Sequence, residues 1–234
     1  MKRLLLTLTM FLTCVASSFA GDGRDPDDFN FSKTWNISFQ AGPNYQIYEN
    51  YFAYHRNREG ADLFNIQKTL NIGYDFTSSF GLRSSVNYGN NSAAYNIENT
   101  TGHDFRPYSF RSLDVFLDAI LNINGLGDDY GHGCNKVFAG VGFGNTFGFK
   151  DVTDNPHPWQ KYHTHNLALA IRVGYIWEYD FTSEAGMYLE LGGTGFADNY
   201  NGLEPGEFDH YGEGYAGFPL DLKLSASFGF IYHF

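Results

Sequence analysis

The motif His163-Thr164-His165-Asn166 contains two histidines whose type and spacing are the best candidates in the chain for metal binding or catalysis. A spacing of two places both imidazoles on the same face of an extended strand, where they could bind a metal ion. A hydrolytic site would also need a nucleophile beside the histidine, and the motif contains no serine. We therefore predict no catalytic residue, no metal site, no cofactor and no enzymatic activity.

A second group consists of charged residues at alternate positions of otherwise apolar segments, which would share one face of extended strands. Its members are Arg83, Asp114, Asp118, Arg172, Glu178, Glu190, Asp221 and Lys223. Buried charges persist only when they are paired. Arg172 and Glu190 lie in neighbouring segments, and Arg83 has Asp114 or Asp118 as a neighbour. We favour a plug of salt bridges over the alternative of a charged pore.

The other reactive side chains are isolated. Five histidines fall in polar segments, where solvated residues are expected; they are His55, His103, His132, His157 and His210. Cys134 is the only cysteine after residue 14. If the N-terminal segment is removed, an internal disulfide and a cysteine-based zinc site are both excluded.

Composition limits the class of this 234-residue chain. A mean hydropathy of −0.34 without repeated apolar runs of about 20 residues excludes a bundle of membrane helices. A net charge of −11 argues against nucleic-acid binding, and 23 Phe with 17 Tyr argue against disorder. An acidic, aromatic, Gly-rich chain of this kind favours a membrane β-barrel, because alternating strands conceal their hydrophobicity from any average.

The N-terminus has the pattern of a secretory signal. A basic Met1-Lys2-Arg3 precedes an apolar stretch from Leu4 to Ala16, and Ser18-Phe19-Ala20 offers small residues for cleavage near Ala20. A lipoprotein signal around Cys14 is disfavoured, because Phe11 and Thr13 fit a lipobox poorly. We predict a signal peptide at 1–20, a polar periplasmic leader at 21–31 and a barrel at 32–234.

Period-two alternation of apolar and polar residues predicts eight strands. They cover residues 34–42, 64–76, 81–88, 113–122, 137–144, 167–179, 187–192 and 220–234. The predicted fold is an all-β, eight-stranded, antiparallel, up-and-down transmembrane β-barrel. Long polar connections and short turns should alternate. The long ones are 43–62, 89–109, 150–165 and 195–218, the tight turns are 77–79 and 182–184, and the middle turn at 123–136 is longer than usual.

A short internal repeat supports this pattern. Tyr74-Asp75-Phe76-Thr77-Ser78 recurs as Tyr179-Asp180-Phe181-Thr182-Ser183, each time at the end of a strand. The aromatic residues of both copies fall on the predicted lipid face, where an interfacial girdle is expected. The predicted girdle residues are Tyr74, Phe76, Tyr179 and Phe181.

The last strand carries the most specific resemblance to a known family. Its alternating aromatics Phe228, Phe230, Tyr232 and Phe234, together with the Gly-rich segment 137–144, resemble the small outer-membrane barrels of the OmpA transmembrane-domain and OmpX type. The resemblance implies that these four aromatics form a C-terminal signal for the barrel-assembly machinery. The chain stops at Phe234, so we expect no cell-wall tether of the kind carried by longer OmpA proteins.

The resemblance also implies a location and partners. We expect a monomer in the outer membrane, exported by the Sec route, in contact with outer-membrane lipid and lipopolysaccharide. Periplasmic chaperones would assist its biogenesis, and surface loops could bind a ligand. The expected role is structural, in envelope integrity, or surface interaction. A narrow diffusion channel is the alternative, and a lipid A-modifying enzyme is a third, less favoured one. The motif at His163 resembles the His-x-Ser-Asn signature of lipid A deacylase barrels only loosely, since His165 stands at the serine position.

Overall fold

A computed structural model describes seven parts of the chain, which together contain all eight strands. They are residues 34–47, 64–99, 102–126, 133–151, 165–197, 200 and 220–234. The predicted signal peptide and leader lie outside the described residues. Within these seven parts, no helix has the length and apolar character needed to cross a bilayer.

Eight antiparallel strands form one closed barrel, because each strand pairs with its neighbours in sequence and the first pairs with the last. The strands are β1 (Thr34–Ile47), β2 (Phe64–Asp75), β3 (Phe80–Asn99), β4 (Gly102–Asn122), β5 (Gly133–Asp151), β6 (His165–Asp180), β7 (Ala185–Ala197) and β8 (Leu220–His233). The predicted strand number and up-and-down order are confirmed. Closure leaves no strand edge unpaired, as a lipid environment requires.

The outer surface of the barrel is apolar. On β6, Leu167, Leu169 and Ile171 are 61–76% exposed, whereas the alternate residues Ala168 and Ala170 are buried. An apolar surface that runs around the whole barrel is unstable in water and matches the hydrocarbon core of a bilayer. The barrel therefore spans a membrane, as the alternation predicts.

The segment predicted as the loop 89–109 is largely strand. The β3–β4 pairing continues from Phe80 and Leu121 to Asn99 and Gly102, well past Tyr88, where the predicted strand stopped. About ten residues of tilted strand cross a bilayer, so a 20-residue β3 forms a hairpin longer than a crossing needs. Apolar alternation did not reveal this extension, because the alternation is interrupted by the four residues from Gly89 to Ser92.

Other strands also extend beyond their predicted ends. β1 continues to Ile47 and β7 to Ala197, so parts of two predicted loops are strand. The β4–β5 register shifts by one residue between Ser109 and Arg111. Gly148 on β5 adopts a φ of 67° near this shift, a conformation that glycine reaches without strain and that is typical of a β-bulge.

The middle turn, predicted at 123–136, is shorter than expected. β5 already begins at Gly133, and a single 3-10 turn covers Asn124–Leu126. The side-chain oxygen of Asn124 accepts one hydrogen bond from the backbone N–H of Asn135, at 2.7 Å, and one from its side-chain amide, at 3.1 Å. The side chain of Asn122 also donates to the carbonyl of Ser78 in the neighbouring turn, at 3.0 Å. This connection therefore ties two turns together at one end of the barrel, which we call the turn end.

Both copies of the internal repeat fold into the same turn. Thr77 Oγ1 accepts hydrogen bonds from the backbone N–H groups of Ser79 and Phe80, at 3.3 and 2.9 Å. Thr182 Oγ1 does the same for Glu184 and Ala185, at 3.2 and 3.0 Å. The hydroxyl accepts hydrogen bonds from backbone donors at the point where the chain turns, which explains why threonine occupies this position in each copy.

Replacing Thr77 and Thr182 with valine should cost about 1 kcal/mol of unfolding free energy per turn, since valine keeps the shape and removes the acceptor. Urea unfolding of the refolded protein in lipid vesicles measures this loss. Ser183→Ala, in the exposed part of the same turn, is the matched control and should change stability by less than about 0.5 kcal/mol. Equal losses for valine and control variants would contradict the role of the hydroxyls.

The core of the molecule lies inside the barrel. The end opposite the turn end is called the loop end, and one buried cluster toward it comprises Tyr108, Phe110, Phe116, Ala168, Ala170, Phe196 and Tyr200. A second cluster toward the turn end comprises Ile120, Phe138, Ile176, Tyr188 and Ile231. Along β4 the inward residues run Ile120, Asp118, Phe116 and Asp114, so charged and apolar layers alternate through the lumen.

Candidate functional site

Asp118 is the centre of a buried ion cluster in the middle of the lumen. Arg83 Nε donates to its Oδ2 at 2.9 Å, and Arg172 donates to both of its carboxylate oxygens, with Nε at 2.6 Å from Oδ1. Arg83 Nη1 also lies 2.6 Å from Oε2 of Glu190. Ser85 completes the group, because its hydroxyl lies 3.3 Å from Asp118 and 2.6 Å from Arg172. All the ionised side chains of this central cluster are at most 6% exposed.

Aromatic rings form cation–π contacts with the two guanidinium groups. Arg83 lies 4.7 Å from the ring centre of Phe138, and Arg172 lies 4.3 Å from that of Phe116. Arg172 is also 5.4 Å from the ring centre of Phe138. Cation–π contacts of this kind are strongest where water is excluded. The central cluster therefore fills the lumen with both charge pairs and rings.

A second ion pair lies nearer the loop end. Lys223 on β8 binds Asp114 on β4, and both side chains are at most 4% exposed. Tyr200, just beyond β7, donates its hydroxyl to Asp114 at 3.1 Å and stacks on Phe196 at a centroid distance of 3.7 Å. Phe116 meets Phe196 edge to face. Tyr200 thus lies over the ion pair and shields it from the loop end.

Removing the Tyr200 hydroxyl should weaken this arrangement measurably. Tyr200→Phe keeps the stack on Phe196 but removes a hydrogen bond to a buried carboxylate, so we expect a loss of about 1.5–3 kcal/mol in unfolding free energy. Tyr88→Phe, on the lipid-facing surface, is the control and should be nearly neutral. Urea unfolding compares the two variants, and equal stability of Tyr200→Phe and the wild type would contradict the assignment.

A third group of charges lies at the turn end. Lys136 Nζ contacts both oxygens of Glu178, at 2.8 and 2.9 Å. His233 Nε2 is 3.6 Å from Glu178 Oε1 and 3.8 Å from Asp180 Oδ1. Asp75 accepts a hydrogen bond from the amide of Asn36 at 3.2 Å. We call four of these residues the turn-end cluster: Lys136 on β5, Glu178 and Asp180 on β6, and His233 on β8.

The structure distributes the predicted charge set among these three groups. Arg83, Asp118, Arg172 and Glu190 meet in the central cluster, Asp114 and Lys223 pair near the loop end, and Glu178 joins the turn-end cluster. Asp221 is buried and faces inward on β8. Of the two partners left open for Arg83, the structure selects Asp118, which pairs with it in register.

The expected pairing of Arg172 with Glu190 is replaced by a different one. Arg172 binds Asp118 and Ser85, while Glu190 binds Arg83. Arg172 is in register with Thr194, whereas Glu190 is in register with Ile176, four residues away on β6. The adjacency of β6 and β7 did not predict this ion pair, because the register of the strands decides which side chains meet.

Sequence reasoning missed three residues of these clusters. Lys136 was placed in a turn, although the alternation of β5 puts it on the inward face with Phe138. Tyr200 was placed within a polar connection, and its neighbours in sequence give no sign that it enters the barrel. Tyr188 was not singled out from the sequence, and its hydroxyl donates to Ser38 at 3.2 Å and accepts from the amide of Asn71 at 3.1 Å.

The predicted surface aromatics face outward. Tyr74 meets Phe76 at 4.9 Å between ring centres, and Tyr179 meets Phe181 at 5.8 Å, both at the turn end. The C-terminal aromatics also form pairs on the outer surface of β8. They are Phe228 with Phe230 and Tyr232 with Phe234. These positions are those of an interfacial girdle and of a terminal signal, and both roles stay predictions.

The histidine motif contributes little that the structure describes. His165 begins β6, and His163 lies outside the described residues. His103, predicted in a loop, belongs to β4, while His55, His132, His157 and His210 lie outside the described parts. The part of the chain that the structure describes therefore contains only one of the two histidines of this motif.

Comparisons with known proteins give structural similarity only. No protein-family model matches the chain, and no curated protein sequence matches it. A major outer membrane protein from Thermus thermophilus is 16% identical with a TM-score of 0.50, over 86% of this chain and 99% of that one. Ail from Yersinia pestis is 10% identical with a TM-score of 0.47, over 87% and 100% of the two chains. OprG from Pseudomonas aeruginosa is 11% identical with a TM-score of 0.42, over 86% and 97%.

These identities are too low to carry a function from one chain to the other, and of these three structures the one from Thermus is similar enough to support the fold. The closed order of eight strands, the apolar outer surface and this similarity agree with each other. The chain therefore has the fold of the small eight-stranded β-barrels of outer membranes.

Proposed function

We propose that this protein is an outer-membrane barrel with a closed lumen, which acts structurally or through its surface connections and not as a pore. The observation that carries this proposal is the central cluster. Arg83, Asp118, Arg172 and Glu190 come from four different strands and meet in the lumen with hardly any exposed surface. An eight-stranded barrel has an interior only wide enough for its own side chains.

Two further layers support a closed lumen. Toward the loop end, Tyr200 and Phe196 cover the pair of Lys223 and Asp114. Toward the turn end, the five residues of the second apolar cluster lie between the central cluster and the turns. An ion would have to displace all three layers, and each buried charge that it separated would be costly to leave unpaired.

The proposal assigns partners to the outer surfaces. The apolar belt contacts outer-membrane lipid and lipopolysaccharide, and the chain is a monomer. The aromatics of β8, from Phe228 to Phe234, carry the signal for the barrel-assembly machinery, and chaperones hold the chain before insertion. Export by the Sec route with cleavage near Ala20 delivers it. The long polar connections at the loop end are the surfaces available for a ligand.

A narrow diffusion channel is the second candidate, and one observation favours it. On β1, β2 and β3 most inward residues other than Arg83 and Asp75 are neutral amides and hydroxyls, and several of their buried polar atoms lack a partner within the described residues. They include Gln40 Oε1, Asn44 Nδ2, Gln67 Oε1, Thr69 Oγ1 and Asn87 Oδ1. Buried polar groups normally bind a partner or an ordered water. Water on this side of the lumen would be the beginning of a passage.

Deletion of the gene in its native host separates the candidates. A structural or surface role predicts greater sensitivity to detergent on deletion, restored by the wild-type chain, with unchanged uptake of small hydrophilic solutes. Replacing residues 201–219 with a short Gly-Ser linker, while keeping Tyr200, then divides the role between barrel and connection. Slower solute uptake on deletion, with unchanged detergent resistance, would overturn the proposal in favour of the channel.

A further inference from the structure

The turn-end cluster contains three metal-binding atoms that converge. His233 Nε2, Glu178 Oε1 and Asp180 Oδ1 all lie within 4.8 Å of one another. The imidazole nitrogen is 3.6 Å from Glu178 and 3.8 Å from Asp180, beyond good hydrogen-bond length, and it has no hydrogen-bond partner within the described residues. Ligand atoms around a tetrahedral zinc ion with bonds of about 2.1 Å are separated by about 3.4 Å. The two distances from the imidazole nitrogen are close to that value.

A glycine makes the convergence possible. Asp180 ends β6 and His233 ends β8, so β7 separates them. The β7 residue in register with Asp180 is Gly186, and a Cβ there would collide with Oδ1 of Asp180. Without that side chain, the carboxylate lies over β7 toward the imidazole.

The other copy of the repeat shows what differs at this end. Asp75 lies over Gly81 in the same way, and a Cβ on Gly81 would collide with its Oδ1. There the carboxylate receives a hydrogen bond from the amide of Asn36, an ordinary satisfied contact. In the second copy the neighbouring group is an imidazole nitrogen that could bind a metal. The second copy therefore differs from the first in having a potential metal ligand beside its aspartate.

The local charge at the turn end is negative, which favours the binding of a cation. Asp75, Glu178 and Asp180 bring three negative charges to the turn end, and Lys136 brings one positive charge. With a neutral imidazole, the balance is two negative charges, which a divalent ion would neutralise. Lys136 contacts both oxygens of Glu178, so an ion would share this carboxylate with the ammonium group.

We propose that Glu178, Asp180 and His233 form a binding site for a divalent transition-metal ion of the zinc class. One imidazole nitrogen with two carboxylate oxygens suits zinc, whereas calcium and magnesium prefer oxygen ligands alone. Cys134 stays outside the ligand set, because its sulfur lies 4.0 Å from Glu178 and does not belong to the group of converging ligand atoms found among the described residues. The site is independent of whether the lumen conducts, so its failure would leave the proposed function intact.

Calorimetric titration of Zn²⁺ into the refolded full chain without an affinity tag tests the site. The pair His163 and His165 could bind zinc separately, so the titration uses a background with His163→Ala and His165→Ala. We expect one ion per chain, and at least tenfold weaker binding after His233→Gln. Asp180→Asn should weaken binding to a similar degree. Heat-shifted migration on a gel confirms that each variant is folded, and Asp180→Asn keeps the test valid if His233→Gln does not fold.

Glu184→Gln is the matched control, since it removes an exposed carboxylate from the same turn and should leave zinc affinity unchanged. Zinc should also raise the urea midpoint of the background protein and not that of Asp180→Asn. Absence of zinc binding in the background protein would overturn the proposal. Binding that survives both His233→Gln and Asp180→Asn would overturn it as well, because the ion would then lie elsewhere.

Discussion

Replacing Asp118 with asparagine is expected to lower the free energy of unfolding by about 3–5 kcal/mol. Asp118 is fully buried and holds Arg83 and Arg172 together. Asparagine has nearly the same shape but no charge, so the variant leaves two guanidinium groups in the lumen with Glu190 as their remaining carboxylate. Urea unfolding in lipid vesicles, followed by tryptophan fluorescence, measures the loss.

The control for Asp118→Asn is Glu184→Gln, which makes the same chemical change at an exposed turn position. It should alter the free energy of unfolding by less than about 0.5 kcal/mol. A loss below about 1 kcal/mol for Asp118→Asn would show that water or other groups already solvate the arginines. The central cluster would then not be the tight plug that its geometry indicates.

Phe138→Ala should have a similarly large effect, a loss of about 3–5 kcal/mol. The ring of Phe138 is only 4% exposed and lies beside both arginines of the central cluster. It occupies the space that the glycine at 174 leaves open, since a Cβ there would collide with the ring. Alanine would leave a cavity in the lumen and remove two cation–π contacts.

Phe143→Ala is the matched control on the same strand. Phe143 faces outward and is 43% exposed, so lipid can fill the space that its ring leaves. The variant should lose clearly less stability than Phe138→Ala in the same urea titration. Equal losses at the two positions would mean that inward packing contributes no more than lipid contact, which would contradict a well-packed lumen.

Most of the barrel could be predicted because a bilayer imposes a strict pattern on its strands. Residues such as Leu169 and Ile171 on β6 must face lipid while Ala170 and Arg172 face the lumen, and this alternation is visible in the sequence. The β3–β4 hairpin could not be predicted in full. Beyond Tyr88 the four residues from Gly89 to Ser92 include no apolar side chain, so hydropathy no longer distinguishes strand from loop there.

The candidate site shows a similar division. Strand parity was enough to place Asp118 and Arg172 inside the barrel, because parity depends only on position along the strand. The contacts between Arg172 and Asp118, or between Glu190 and Arg83, depend on register and on reach across the lumen. The position of Tyr200 could not be predicted for the same reason, since its place over Asp114 is fixed by contacts between residues distant in sequence.

Single-channel conductance of the refolded wild-type protein in a planar bilayer tests the central claim most directly. Heat-shifted migration on a gel should first confirm that the protein is folded. A closed lumen predicts a silent bilayer in moderate salt, with conductance appearing only in variants such as Phe138→Ala that open the packed layers. Steady openings of the wild-type protein would contradict the closed lumen and would make this barrel a small pore.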